Sequence, residues 1–328
     1  MSLCLLSLDE VKQSITMSQA IKAMENAFMQ LAKKQVKLPL RTGITIDEED
    51  ALTLIMPAYL AQDKALGLKV ASIFPKNSAL NKPSITGFIM LLDAGTGEPK
   101  ALMDAGYLTA LRTGAVSGLA TQYFAVDNAT HVAIIGSGVQ AETQLQAIAN
   151  VRDIKQVSVW SRNIKNAEQF ATQLADQYTI NVFDNISLAV KDADIICTAT
   201  GSAEPLIHLH DIGPHVHINA IGSHTAKMQE ISNDVLKHAV VIVDQLSAVM
   251  AEAGEIISAV QQNQLKQEDI IEIGNWLMHK NSDFKNQITV FKSVGLSIQD
   301  LSVASVVYQN AMDKKLGTLF ALNEARLL

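Results

Sequence analysis

The stretch His131-Val-Ala-Ile-Ile-Gly-Ser-Gly-Val-Gln-Ala141, followed by a helical run and then Val157-Ser-Val-Trp-Ser-Arg162, decides the fold of this 328-residue chain. A short β-branched run stops at Gly-x-Gly-x-x-Ala and a helix opens there, the strand, tight turn and helix that hold a dinucleotide pyrophosphate. Gly136 permits the turn, Gly138 lets backbone approach a phosphate, and Ala141 lets the helix lie close to the strand. The helix start offers unpaired N–H groups to an anion. Ser137, Val139 and Gln140 belong to the same cofactor loop.

The end of the second strand selects the cofactor. NAD-selective folds place a carboxylate there, about 20 residues past the glycines, to bond the ribose 2′-hydroxyl. This chain has Ser161 and Arg162 instead. A guanidinium suits a 2′-phosphate through charge-assisted hydrogen bonds, whereas a carboxylate repels it. NADPH is therefore the expected cofactor, and NADH the alternative if Arg162 is only a solvated charge.

Outward from this stretch, strand-like runs at Val132–Ile135, Val157–Ser161, Ile180–Phe183, Ile195–Ala199, His217–Ile221 and Val240–Val243 alternate with helical segments. Alternation of this kind predicts an α/β architecture with a doubly wound parallel sheet, a Rossmann domain over residues 125–302. Before it, helical spacing runs from Ser7 to about Gln35, with starts at Leu8-Asp-Glu and Thr16-Met-Ser. Strands are expected at Leu52–Met56, Ala65–Ser72 and Ser84–Asp93, the last closed by Ala94-Gly-Thr-Gly-Glu-Pro99 as a hairpin turn, and a helix from Met103 to about Phe124. The apolar tail from Leu301 reads as helical through its extension, and it is expected to return to the N-terminal part. The division expected is thus 1–124 plus 303–328 around 125–302.

Hydrophobic residues make up 48% and charged residues 18%, the composition of a globular protein with ample core. A net charge of −7 without any basic run excludes nucleic acid as a main partner. No apolar run is long enough to span a membrane, and the first ten residues meet acids before any leader-like stretch. Cys4 and Cys197, far apart, read as reduced buried thiols of a cytoplasmic protein.

Three cations stand among apolar neighbours: Arg41 in Leu38-Pro-Leu-Arg-Thr42, Lys69 in Leu66-Gly-Leu-Lys-Val-Ala71, and Arg112 in Leu108-Thr-Ala-Leu-Arg-Thr-Gly-Ala115. Such charges are costly unless paired, so each is either half of a salt bridge or part of an anion pocket. Together beside a nicotinamide site they predict a substrate bearing a carboxylate. His208, His210, His215, His217 and His224 fall close together, but Pro214 interrupts them and no acid completes a ligand set, so no metal is expected. His224 differs from the rest. It follows Ile221-Gly-Ser at a strand's carboxyl end, where open α/β sheets bind ligands.

Met56-Pro-Ala58, Gly67-Leu-Lys69, Leu91-Leu-Asp-Ala-Gly-Thr-Gly-Glu-Pro99, the Arg112 segment, Gly136-Ser-Gly138, Ile218-Asn-Ala-Ile-Gly222 and Thr289-Val-Phe-Lys-Ser-Val-Gly295 occur in this order. In this combination the chain resembles the ornithine cyclodeaminase/mu-crystallin family over nearly its whole length. The resemblance implies a Rossmann domain inserted in a discontinuous α+β domain that binds substrate and forms a homodimer. It implies Arg41 and Arg112 on the substrate carboxylate, Lys69 as the active-site lysine, and Ser84 in place of a family threonine. The expected cofactor set extends to Thr113, Thr198, Ala199, Thr200, Gly222, Ser293 and Gly295.

Members include ornithine cyclodeaminases, alanine dehydrogenases and ketimine reductases, and fold does not choose among them. Cyclodeaminases carry Asp where this chain has His224, and imidazole is no equivalent partner for a substrate ammonium. Mu-crystallin-like ketimine reductases lack that Asp, use NADPH, and have Asn-Arg where this chain has Ser161-Arg162. The expectation is therefore an NAD(P)H-dependent reductase of Δ1-pyrroline-2-carboxylate or Δ1-piperideine-2-carboxylate, giving proline or pipecolate. Ornithine cyclodeaminase, alanine dehydrogenase and a non-catalytic NADPH-binding protein are the rivals. Lys69 is the candidate for hydrogen bonding to the substrate carboxylate or delivering the ring-nitrogen proton, and His224 either shares that proton role or lies on the rim.

Overall fold

The computed structural model describes residues 2–280 and 282–322. Ser7 and Thr16 cap helices Leu8–Ser14 and Met17–Ala32, each closing a reciprocal capping box, with Glu10 and Gln19. Seven strands follow the chain through its first part: β1 (Ser2–Leu6), β2 (Val36–Lys37), β3 (Thr42–Ile46), β4 (Ala51–Leu60), β5 (Ala65–Ile73), β6 (Ile85–Asp93) and β7 (Pro99–Asp104). Helix Gly106–Phe124 comes next.

The parallel sheet then forms from β8 (His131–Ile135), β9 (Gln156–Trp160), β10 (Ile180–Phe183), β11 (Ile195–Thr198), β12 (His217–Ala220), β13 (Val240–Val243), β14 (Ile271–Glu272) and β15 (Thr289–Lys292). Helix Ser297–Asp313 and β16 (Thr318–Ala321) close the described chain. Two compact units result: residues 1–112 with 296–328, so far as they are described, and Thr113–Gly295.

In the first unit the strand order is β16-β1-β7-β6-β5-β4-β2, with β3 also on β4. All pairs are antiparallel except β1 with β7. Along β5 burial alternates, with Ala65, Gly67 and Lys69 inward, and Met56 and Ile89 stand opposite Lys69 on β4 and β6. Helix Ser297–Asp313 covers this face and lies along Met17–Ala32. Gly67 is what allows it so close: a Cβ there would stand 2.2 Å from the Met90 carbonyl oxygen and 3.2 Å from Leu301 Cδ2.

Two expectations need correction in this unit. Met103 lies in β7, the strand that follows the hairpin turn, and the helix opens only at Gly106, because Ala101 and Met103 alternate inward with period two. Helix Ser297–Asp313 packs on helix Met17–Ala32 and on β5, but the extension of the tail is not helical. Gly317, at φ +94°, ends the turn after the helix, and Thr318–Ala321 pairs antiparallel with β1. Residues 323–328 of the expected extension lie outside the described residues.

The second unit is a fully parallel sheet in the order β10-β9-β8-β11-β12-β15-β13-β14. The chain works outward from β8 to β10, then restarts on the other side at β11. That reversal leaves a crevice at the carboxyl ends of β8 and β11, the place where doubly wound sheets take ligands. Strand β8 explains why its run reads as continuously apolar. Val132 and Ile134 join the core on one face while Ala133 and Ile135 join the core on the other.

Arg152 anchors this unit's first helical layer. Its guanidinium donates to the carbonyls of Thr121 and Gln122 in the last turn of helix Gly106–Phe124, of Ala125 and Val126 just after it, and of Val151, all at 2.9–3.1 Å. A cation at a helix C-terminus also meets the favourable end of the dipole. Arg152→Met is expected to lower stability by about 2–4 kcal/mol, since hydrogen bonds to a charged donor are worth more than neutral ones. Urea titration of the two proteins checks this, and an unchanged midpoint would refute it. Among the described residues no helix is long and apolar enough to cross a membrane.

Candidate functional site

Lys69 reaches the first unit's interior because β5 turns odd-numbered residues inward from Ala65 onward. It is 3% exposed, and Arg112, on helix Gly106–Phe124, is 7% exposed. A residue absent from the sequence reading joins them. Asp300, fully buried in the first turn of helix Ser297–Asp313, places Oδ2 2.7 Å from Lys69 Nζ and Oδ1 3.0 Å from Arg112 Nε. Gln299 Oε1 accepts from Arg112 at 2.7 Å. Burial pulls the Lys69 pKa down from 10.5 to about 8, against the opposing pull of Asp300 and with Arg112 and Arg41 adding to the fall.

Arg41 stands half-buried just ahead of β3, near enough to bear on Lys69. Ser84 precedes β6, half-buried, and its carbonyl accepts from the Phe74 N–H at 2.7 Å.

In the second unit the glycine loop suits a dinucleotide. Gly136 has φ +118°, and a Cβ there would lie 2.5 Å from the Ala199 carbonyl oxygen, so the turn admits no side chain. Gly138 is the N-cap of helix Val139–Val151 and supplies no side-chain cap, leaving the first N–H groups to face a ligand. A Cβ at 138 would meet nothing within 4 Å. Gln140 Oε1 is buried without a hydrogen-bond partner, and Val139 is largely exposed.

A groove of about 310 Å³ runs along Gly136, Ser137, Gly138, Ser161, Arg162 and Thr200. Ser137 Oγ donates to Ser161 Oγ at 3.0 Å, tying the loop to the end of β9, and Arg162 stands exposed beside it.

Beneath the neighbouring strand ends lies an ionic network that the sequence reading did not find. Glu230, fully buried, accepts from Thr198 Oγ1 (2.9 Å), from the N–H and Oγ1 of Thr200 (2.7 and 2.8 Å), and from the N–H groups of Gly222 (2.8 Å) and Ser223 (3.2 Å). Burial pushes its carboxyl pKa up while Lys292 pulls it down. Lys292, also fully buried, pairs with Glu255 at 2.9 Å. Asp244 accepts from Ser293 Oγ at 2.8 Å and from the Val294 and Gly295 N–H groups at 3.0 and 3.1 Å. Five of the expected cofactor residues, Thr198, Thr200, Gly222, Ser293 and Gly295, are thus held by two buried carboxylates. Ala199 N–H bonds the Ile135 carbonyl, and the Thr113 carbonyl accepts from Gln144 at 3.1 Å.

The histidines scatter into separate settings. His217 is buried between Thr289 Oγ1 (2.8 Å) and Asn219 Oδ1 (3.3 Å), and burial lowers its pKa to about 3, so it stays neutral. His208 and His210 stack on each other, and His215 meets the Asn286 carbonyl. His224 is exposed, with Nδ1 2.9 Å from the Gly222 carbonyl oxygen.

Comparison with known proteins accords with this geometry. Residues 2–315 match the ornithine cyclodeaminase/mu-crystallin family. A Δ1-pyrroline-2-carboxylate reductase of Bacillus cereus is 34% identical over 318 residues, 95% of this chain and 98% of the relative. The structure of a Thermococcus litoralis Δ1-pyrroline-2-carboxylate reductase in complex with NADH and L-proline superposes with a TM-score of 0.92 at 34% identity, covering 96% of this chain and 99% of that one. An archaeal alanine dehydrogenase dimer with bound NAD gives a TM-score of 0.90 at 33% identity, over 98% of this chain and 100% of that one. With motif order, fold and full-length similarity in agreement, the chain belongs to the ornithine cyclodeaminase/mu-crystallin family.

Proposed function

We propose that this protein is an NAD(P)H-dependent ketimine reductase, reducing Δ1-pyrroline-2-carboxylate or Δ1-piperideine-2-carboxylate to L-proline or L-pipecolate. The observation that carries this reading is the buried Lys69 beside Arg112, a proton donor next to a carboxylate clamp. Full-length similarity to pyrroline-2-carboxylate reductases supports it.

Arg112, with Arg41, holds the substrate carboxylate and orients the ring, which removes much of the entropic barrier. Lys69, poised with a pKa of about 8, gives a proton to the ring nitrogen. Ser84 holds the substrate or a water. His224 either shares the proton or remains a rim residue, and its presence where cyclodeaminases carry Asp argues against ornithine as substrate. The dihydronicotinamide, when bound, supplies the hydride.

NADPH is the preferred cofactor, on the strength of Arg162 at the rim of the groove. Arg162→Gln is expected to weaken NADPH about tenfold, the worth of roughly one charge-assisted hydrogen bond, and to leave NADH unchanged. Fluorescence titration with both cofactors reads this directly, and equal weakening of the two would refute the assignment. The working form is a homodimer through the first unit, supported by exposed Ile44, Ile85 and Phe88 and by the dimeric archaeal relative. Two buried, unpaired thiols support a cytoplasmic setting.

The reading is tested by presenting each cofactor with both cyclic imines, with ornithine, and with pyruvate plus ammonium. Oxidation of NADPH by a cyclic imine is the expected result. Ammonia release from ornithine without net cofactor consumption would assign a cyclodeaminase instead. Turnover only with pyruvate and ammonium would assign an alanine dehydrogenase.

A further inference from the structure

Lys69 is buried where two guanidiniums bear on it, Arg112 from helix Gly106–Phe124 and, more weakly, Arg41 from the segment ahead of β3. Left there alone, an ammonium loses its hydration and meets two like charges, and both effects favour release of its proton. One anion opposes them. Asp300, from helix Ser297–Asp313, spends one carboxylate oxygen on Lys69 at 2.7 Å and the other on Arg112 at 3.0 Å. Gln299 then fixes a second guanidinium nitrogen of Arg112 at 2.7 Å, so Arg112 cannot swing onto Lys69's share of the carboxylate. With both oxygens committed and no exposed surface, Asp300 does not touch substrate.

We propose that Asp300 is the positioning residue that keeps Lys69 protonated, and so makes Lys69 the proton donor to the imine nitrogen. This rests on the reductase reading above. In the step itself one N–H bond of the Lys69 ammonium breaks, and the imine nitrogen's lone pair forms the new N–H bond. A hydride from the reduced nicotinamide forms the C–H bond at the imine carbon, and the C=N π pair returns to nitrogen. The products are a secondary amine, the oxidised nicotinamide and a neutral Lys69, which takes a proton from water.

Two measurements test the proposal, and the first needs neither substrate nor cofactor. Lysine labelled with carbon-13 at Cε reports each amine's titration by NMR, and the Lys69 signal is assigned by its loss in Lys69→Met. In the wild-type protein Lys69 is expected to titrate above pH 7, and titration below pH 6 would overturn the proposal. In Asp300→Asn that titration, and with it the alkaline limb of kcat/KM for the cyclic imine, should move down by at least one pH unit. Activity would then fall tenfold or more at pH 8 and far less at pH 6, and Asp300→Glu should restore most of the shift.

A folded Asp300→Asn whose limb and titration stay in place while activity falls equally at every pH shows a merely structural role and overturns the proposal. If Asp300→Asn does not fold, the wild-type titration decides. If no imine turns over, the reductase reading fails, and the Lys69 titration still judges what Asp300 does.

Discussion

Lys69→Ala is expected to lower kcat/KM for the cyclic imine by about a thousandfold, the scale of a general acid, while NADPH affinity changes by less than about twofold. The two halves of the result come from the division of the chain. Lys69 belongs to the sheet face covered by helix Ser297–Asp313, whereas the glycine loop and its groove belong to the parallel sheet. Steady-state kinetics and titration of dihydronicotinamide fluorescence measure the two quantities separately.

The wild-type pH profile carries the sign. A proton donor works in its charged form, so with a pKa of about 8 the rate is level below that pH and falls tenfold per unit above it. In Lys69→Ala the residual activity should lack this limb. Retention of more than a tenth of the activity in the variant would remove Lys69 from the proton-transfer role.

Gly136 and Gly138 should respond to alanine in different ways. At 136 the backbone sits at φ +118° and a Cβ would press to 2.5 Å on the Ala199 carbonyl oxygen, so Gly136→Ala is strained with or without ligand. A loss of about 1–3 kcal/mol of stability is expected, together with near-complete loss of dinucleotide binding, because the turn that aims the helix start must move. At 138 a Cβ would meet no protein atom within 4 Å. Gly138→Ala should therefore melt at the wild-type temperature without cofactor, yet bind NADPH at least tenfold more weakly, since the methyl enters space a phosphate needs. Thermal unfolding with and without NADPH separates the cases. Destabilisation of the free protein by Gly138→Ala would show that the glycine serves the turn and not the ligand.

The parallel sheet was legible because each of its signals is local. The β8 run, the glycine turn and the β9 run lie within about thirty residues, and period and turn chemistry suffice to read such a unit. The helix starts at Leu8-Asp-Glu and Thr16-Met-Ser are equally local, and each proves to be closed by a capping box of only four residues. Short strands were not. Thr318–Ala321 owes its strand form to a distant partner, β1, which no local pattern reveals, and Thr42–Ile46 pairs with the next strand, β4, across the acidic turn Asp47-Glu-Glu-Asp50, which carries no Gly or Pro to announce it.

The site divides in the same way. Cations in apolar runs drew notice, and Lys69 and Arg112 prove to share one carboxylate. Asp300, in Leu296-Ser-Ile-Gln-Asp-Leu301, carries the same signal with opposite sign and went unread. Lys292, inside the apolar run Thr289-Val-Phe-Lys, and Glu230, eight residues past the motif Ile218–Gly222, carry that signal too. A buried charge is worth reading for either sign, because each implies a buried counter-charge somewhere else in the chain.

The pairing of Arg112 with Asp300 joins residues 188 positions apart. During synthesis Lys69 and Arg112 therefore leave the ribosome long before the carboxylate that neutralises them. Until helix Ser297–Asp313 is made, the face of β5 presents a lysine and a gap where Leu301 will rest against Gly67. A nascent or truncated chain that stops short of this helix therefore lacks both the cover and the counter-ion, and its first unit closes only once that helix is present. Synthesis thus supplies the counter-charge of Lys69 well after the lysine itself.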